Sequence, residues 1–231
     1  MLTAAALCPA PPLLARELTG AADVLPELRE ACAAAVSALV AAEPDRITVV
    51  GAAAASRRWP ADGWLDLSAY APGLGPAPLG LGERLPLPLG LGARLLDEAG
   101  YGGSRELFSV ADGLAPSMCR AHGARLAGEA NRVALLVLAD GSARRGLKAP
   151  GYLDERSAPF DAAVERAIGS GDLAQLLDID PGLAAELMAA GRPAWQVLAG
   201  AARELRPTSE IRYCDAPFGV AYLVASLAMA A

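Results

Sequence analysis

The stretch "RVALLVLAD", Arg132 to Asp140, decides the fold. From Val133 to Ala139 every side chain is apolar, and the run is bounded by Arg132 on one side and by "DGS", Asp140 to Ser142, on the other. A run this short and apolar at every position reads as a strand covered on both faces, the centre of an α/β sheet rather than its rim. Ligands of open α/β sheets gather at the carboxyl ends of such strands. Asp140 and the turn after it are therefore the first place to look for chemistry.

Working towards the amino terminus, the small and apolar residues from Leu2 to Cys8 read as a first strand. It breaks at Pro9, Pro11 and Pro12, which cannot continue a ladder. Ala21 to Ala42 carries Val24, Leu28, Cys32, Val36, Leu39 and Val40 at helical spacing, with Pro26 in the first turn. "RITVVGAAAA", Arg46 to Ala55, reads as a second buried strand ending at Gly51. Strand, helix and strand make a βαβ unit, whose crossover predicts parallel pairing. "APGLGPAPLGLGERLPLPLGLG", Ala71 to Gly92, is too apolar for a solvated linker and reads as an ordered loop laid over the core, followed by a helix over "ARLLDEAG". "RELFSV", Arg105 to Val110, reads as a strand and Pro116 to Glu129 as a helix. Beyond the central strand, Ser157 to Leu205 holds several helices. The chain closes with "EIRYCD", a turn at Ala216 and Pro217, and a strand within "FGVAYLVASLAMA". The expected architecture is one α/β domain, a sandwich with a central mixed, largely parallel sheet flanked by helices.

Composition narrows the function. A chain of 231 residues that is 54% apolar can bury one sizeable core. A formal charge of −6 disfavours nucleic acid, whose phosphates require a basic face. The start of the chain has no basic segment before an apolar run, so neither a signal peptide nor a membrane span is expected. Cys8, Cys32, Cys119 and Cys214 are widely separated, which suits reduced thiols in a cytoplasmic protein. His122 is the only histidine, so a two-histidine metal site cannot come from one chain.

Several groups could carry chemistry. Asp140, Gly141 and Ser142, followed by Arg144, Arg145 and Lys148, form a turn with three cations beside it that could seat a carboxylate or phosphate; the alternative is a solvated turn. Ser142 lacks the strained elbow and partner histidine of a nucleophile. Cys214 and Asp215 end a strand, and Cys8 could join them as metal ligands, although cysteines of this kind are commonly small core residues. Asp215 can instead cap its turn. His122 reads as a helix-surface residue, and Asp154 and Glu155 as the acidic start of a helix.

Four segments, "CPAPPLL" (8–14), "LPLPLGLGARLLDEAG" (85–100), "LADGSARR" (138–145) and "APFGVAYLVA" (216–225), resemble in order and spacing the class III extradiol ring-cleavage dioxygenases, a superfamily that also includes the Memo-type proteins, and within it an actinobacterial branch. The resemblance covers nearly the whole chain. It implies a non-haem Fe(II) held by two histidines and one carboxylate, a further acid–base histidine, and a catechol opened with O₂. Here the first metal-histidine position is Ala10, the second falls in Ala52 to Ala55, and the acid–base position is Ala143; only the carboxylate has a counterpart, Asp215. The facial triad needs its imidazoles, so no cofactor is expected, the ancestral Fe(II) site being lost.

Two readings follow. The first is a non-catalytic binding or assembly protein, a pseudoenzyme that keeps the fold and takes a small molecule or a protein as partner, compatible with a homodimer. The second is an enzyme of altered chemistry acting on a small anionic substrate, using the turn of Asp140, Ser142 and Arg144 with Asp215. That reading requires those groups to converge in one cleft.

Overall fold

The computed structural model describes the chain except residues 21, 23, 72–81, 204, 230 and 231. Its central element is the predicted one: Val133–Leu138 forms a strand, β7, buried at every position. In chain order the strands are β1 (Leu2–Cys8), β2 (Arg46–Ala53), β3 (Arg57–Trp59), β4 (Trp64–Leu65), β5 (Arg84–Leu85), β6 (Ser104–Ala111), β7, β8 (Thr208–Asp215) and β9 (Tyr222–Ala228). Seven of them form one sheet in the order β3-β6-β2-β7-β1-β9-β8, with β7 in the middle; β4 and β5 form a separate two-stranded sheet. The inner strands β6, β2, β7 and β1 run parallel, and the pairings of β3 with β6, β1 with β9 and β9 with β8 are antiparallel. The protein is thus α/β, with a mixed, mostly parallel sheet flanked by helices.

Two details of the βαβ reading change. β1 and β2 are parallel but do not pair with each other, because β7 inserts between them and hydrogen-bonds to both. β2 also runs on through Gly51 to Ala53, since β6 supplies a partner along its whole length. No local pattern reports which later strand will occupy the gap between two earlier ones.

Helices cover both faces. One face takes α1 (Pro26–Ala41) and α2 (Leu87–Glu98); the other takes α3 (Pro116–Leu126), α4 (Ser157–Gly169), the short α5 (Pro181–Glu186) and α6 (Arg192–Ala202). The start of α2 corrects the loop expected over residues 71–92: its first turns are "LPLGLG", with Pro88 where proline is tolerated, and residues 72–81 lie outside the described part. The glycines that suggested a loop allow close approach instead. A Cβ on Gly92 would lie 2.4 Å from Val49 Cγ1 and 2.7 Å from Leu138 Cδ2, so the helix can settle onto β2 and β7 only with hydrogen at that position.

On the opposite face, α3 and α6 cross backbone to backbone. A Cβ on Gly123 would lie 2.0 Å from the carbonyl oxygen of Val197, and one on Gly200 would lie 2.3 Å from that of Arg120. His122 sits beside this crossing with its ring 5.1 Å from that of Phe108, half-buried, its pKa lowered by burial and by Arg125. α6 is buried along its length around Trp195, and Arg192 at its start donates to the Asp112 and Leu114 carbonyls and to Gln196. Among the described residues no helix is long and apolar enough to cross a membrane.

Candidate functional site

The carboxyl ends of β1, β2, β6 and β7 lie on one edge of the sheet, and the proline loop and the Asp140 turn leave from neighbouring strands there, since β1 pairs with β7 up to Cys8 and Leu138. The loop of residues 9–12 does hold a polar group at that edge. It is not a side chain: the Ala10 N–H donates to Asp140 Oδ1 at 2.8 Å. Ala10 itself is buried. The three prolines stiffen a backbone donor, and that donor fastens the loop to the end of the central strand.

Asp140 is half-buried, and burial raises its pKa to about 6 although the Ala10 N–H opposes the rise. Burial, and then the charge of Asp140, push the Tyr222 phenol on β9 well above its ordinary value. The Asp140 backbone oxygen accepts from Gly191 N–H at 2.8 Å, so the strand end is tied to the start of α6 as well.

The rest of the turn is built into the structure. Ser142 is fully buried, and its hydroxyl donates to Asp161 Oδ2 at 2.6 Å while its N–H donates to Asp161 Oδ1 at 2.9 Å. Arg145 donates to the same carboxylate at 3.1 Å. Asp161 on α4 thus takes up both the serine and one cation of the proposed anion seat. It is the residue that sequence reasoning missed: it lies 19 positions beyond Ser142 in an ordinary helix, and no spacing rule links the two. Arg144 is half-buried, and its Nε is buried without a hydrogen-bond partner; Lys148 is exposed. Ala143 is buried, its N–H donating to the Leu187 carbonyl at 3.0 Å.

These bonds correct the convergent arrangement of Asp140, Ser142, Arg144 and Asp215. Asp140 faces Ala10, Ser142 faces Asp161, and Asp215 accepts from the adjacent Ala216 N–H at 2.7 Å as a turn cap. What the fold does bring together is a cavity of about 290 Å³ between α4 and the β8–β9 hairpin, with Arg145, Asp161, Glu165, Cys214, Asp215 and Tyr222 in its wall. Burial, and then Glu165, push the Cys214 thiol up to about 11, so it is protonated at neutral pH and a poor ligand or nucleophile.

The metal set of Cys8, Cys214 and Asp215 is likewise not assembled. Cys8 is fully buried among the residues under α1, its thiol against Cys32, and its pKa is raised first by that hydrogen bond and then by burial. Cys214 pairs with Leu223, which belongs to the core of the opposite face. The alternation of a pleated strand thus puts the two sulfurs on different sides of the sheet. Asp154 and Glu155 precede α4, which begins at Ser157. Asp154 is held down at about 2 by the Arg156 side chain and backbone, so its carboxylate is ionised at neutral pH.

The two-histidine, one-carboxylate iron implied by the resemblance does not fit the residues present. Positions 10, 52–55 and 143 offer methyl groups, and among the described residues no three of His, Cys, Asp and Glu gather closely enough to hold a metal ion.

A solved structure of an uncharacterized protein from Escherichia coli K12 superposes on the chain with a TM-score of 0.56 at 13% sequence identity, over 98% of this chain and 99% of that one. At that identity the likeness establishes the fold and nothing of the chemistry. No protein-family profile matches the chain, and no curated protein does.

Proposed function

We propose that this chain is a non-catalytic binding or assembly protein on an extradiol dioxygenase-like fold, a cytoplasmic pseudoenzyme without the iron of the family it resembles. The observation that carries the reading is the 2.8 Å bond from the Ala10 N–H to Asp140. At the edge where such sheets place their ligands, the loop that would present a histidine is instead closed down onto the end of the central strand by its own backbone. The surrounding polar groups are spent in the same way, Ser142 and Arg145 on Asp161. Each bond supports a locked strand end over an open coordination site.

The test is metal analysis of protein purified without a histidine tag and incubated anaerobically with Fe(II), together with oxygen uptake on a panel of catechols. The expected result is substoichiometric iron and no uptake. Near-stoichiometric iron accompanied by oxygen uptake overturns the proposal.

A further inference from the structure

The two edge strands of the large sheet are built differently. β3, at one edge, is three residues long, and its Arg57 and Arg58 are held in ion pairs, the first with Glu83 and the second with Glu106 and Glu129. Short, charged strands of this kind keep an edge from pairing further. β8, at the other edge, runs for eight residues, Thr208–Asp215, with no proline and no lysine inside it. Its inner side bonds to β9, and among the described residues no other strand and no loop backbone bonds to its outer side. A row of backbone donors and acceptors of that length is a template for another strand.

The charges of β8 identify that other strand. The strand carries three, Glu210, Arg212 and Asp215. Glu210 and Arg212 stand on the face that α1 covers: both line a groove of about 260 Å³ with Ala38 and Ala42 of α1, and Arg212 donates to Glu210 Oε2 and to Ser226 Oγ, each at 2.7 Å. A second β8 brought up antiparallel about a two-fold axis keeps the same face upward, so Glu210 and Arg212 can meet only residues of that face. Centred on Glu210, such a pairing sets the two copies of that carboxylate directly opposite each other; centred on Arg212, it does the same to the two guanidiniums. Centred on Ile211, it sets Glu210 of each copy opposite Arg212 of the other, and the four charges alternate around a square. Like charges directly opposite destabilise a strand pair, and opposite charges stabilise it.

We infer that β8 pairs with β8 of a second copy of the chain, antiparallel and centred on Ile211, which joins the two sheets into one. The other charged groups near the strand agree with that register. Cys214, with Glu165 of α4 beside it, comes against the uncharged Thr208 of the second copy, and Tyr213, within reach of Glu27 of α1, comes against Ser209. Asp215 comes against Pro207 and next to Arg206, which reaches Asp172 at 3.5 Å in its own chain. No like charges are set against each other. Arg212 has no opposite number on β9, where the register shifts between Ile211 and Tyr213, and Glu210 of the second copy gives it one. The inference rests on the assembly part of the proposed function and names the partner. The two fail separately: iron uptake with oxygen consumption overturns the non-catalytic reading, and mass in solution decides the strand pairing.

The experiment is sedimentation velocity on the full chain over a wide concentration range, with circular dichroism confirming that each variant is folded. The expected mass is twice the 23.5 kDa of the chain, and amide exchange across residues 208–215 slows as the dimer forms. Glu210→Arg and Arg212→Glu each set like charges opposite each other twice and weaken the dimer by about tenfold in dissociation constant. Mixing these two variants restores a dimer that holds one copy of each, a result that the pairing of residues 210 and 212 within one chain cannot give. Arg57→Glu, at the β3 edge, leaves the mass unchanged. A wild-type chain that stays monomeric overturns the proposal and assigns the bulge at Arg212 to guarding the edge. A dimer indifferent to both single variants overturns it as well, and a mixture that gains no dimer overturns the register centred on Ile211.

Discussion

Two loops leave neighbouring strands at the same edge of the sheet and differ in almost every respect. The loop after β1 is short, proline-rich and carries small side chains, with Ala10 buried and its N–H fixed to Asp140. The segment after β7 is long, is cross-braced by backbone bonds, and points Leu147, Tyr152 and Leu153 into water. In the first, polar capacity is turned inward and consumed; in the second, apolar area is turned outward and held there. The contrast teaches that backbone bonds hold both loops in place, while only the second leaves large apolar side chains exposed.

The comparison breaks most readily at Asp161. Asp161→Ala leaves the Ser142 N–H, the Ser142 hydroxyl and Arg145 without their acceptor. The cost expected for a buried network of this kind is about 3 kcal/mol, with faster hydrogen exchange across residues 142–154, measured by urea unfolding and exchange mass spectrometry. A variant as stable as the wild type would mean that the long segment does not depend on that anchor.

Ala10→His restores the residue type of the resembled family at a buried position. Overpacking there is expected to cost about 2 kcal/mol, and the variant is expected to take up no iron, since position 143 and positions 52–55 still offer methyl groups. Iron bound tightly by this single variant would show that the proline loop is still a metal mount.

Asp140→Asn keeps the acceptor for Ala10 and removes the charge. The carboxyl pKa is raised from 3.8 to about 6, so the folded state binds this proton more tightly than the unfolded chain. Its contribution is therefore complete below about pH 4 and is lost as the pH rises through 6. Relative to the wild type, the Asn variant should gain up to about 2 kcal/mol between those limits, a value discounted because Asp140 as a residue keeps partial access to solvent. Parallel denaturation curves from pH 4 to 7 would measure it, and a constant difference would refute the shift.

The smallest effect is expected at the rim. Tyr152→Gly relieves left-handed backbone at φ 62° while removing an exposed ring, and should raise the stability of the chain by roughly 0.5 to 1 kcal/mol. A loss of stability would mean that the ring packs within its own chain.

How much was legible in the sequence follows the range of the forces involved. The central strand announced itself because burial on both faces demands an unbroken apolar run, and Val133–Leu138 is such a run. α1 was legible from its spacing and from Pro26 in its first turn. The second half of α2 was legible in "ARLLDEAG", but its start was not, because Gly90 and Gly92 carry a loop signature locally and serve helix-on-sheet contact only once β2, β7 and Leu65 are in place. β3, β4 and β5, of two or three residues each, are too short to show a period.

The site divides along the same line. By itself the sequence determined which side chains are present: one histidine, and alanine at positions 10 and 143, are matters of composition and order that no fold can reverse. It determined also that Asp140 stands at the end of a central strand. Only the tertiary structure decided what these groups touch. The Ala10 N–H meets Asp140 across 130 residues, Ser142 meets Asp161 from a different element, and Cys8 and Cys214 part to opposite faces of one sheet. Hydrogen bonds act over about 3 Å. Partners so far apart in the chain become neighbours only through the order of strands in the sheet, which the burial of the whole core selects and no local pattern encodes.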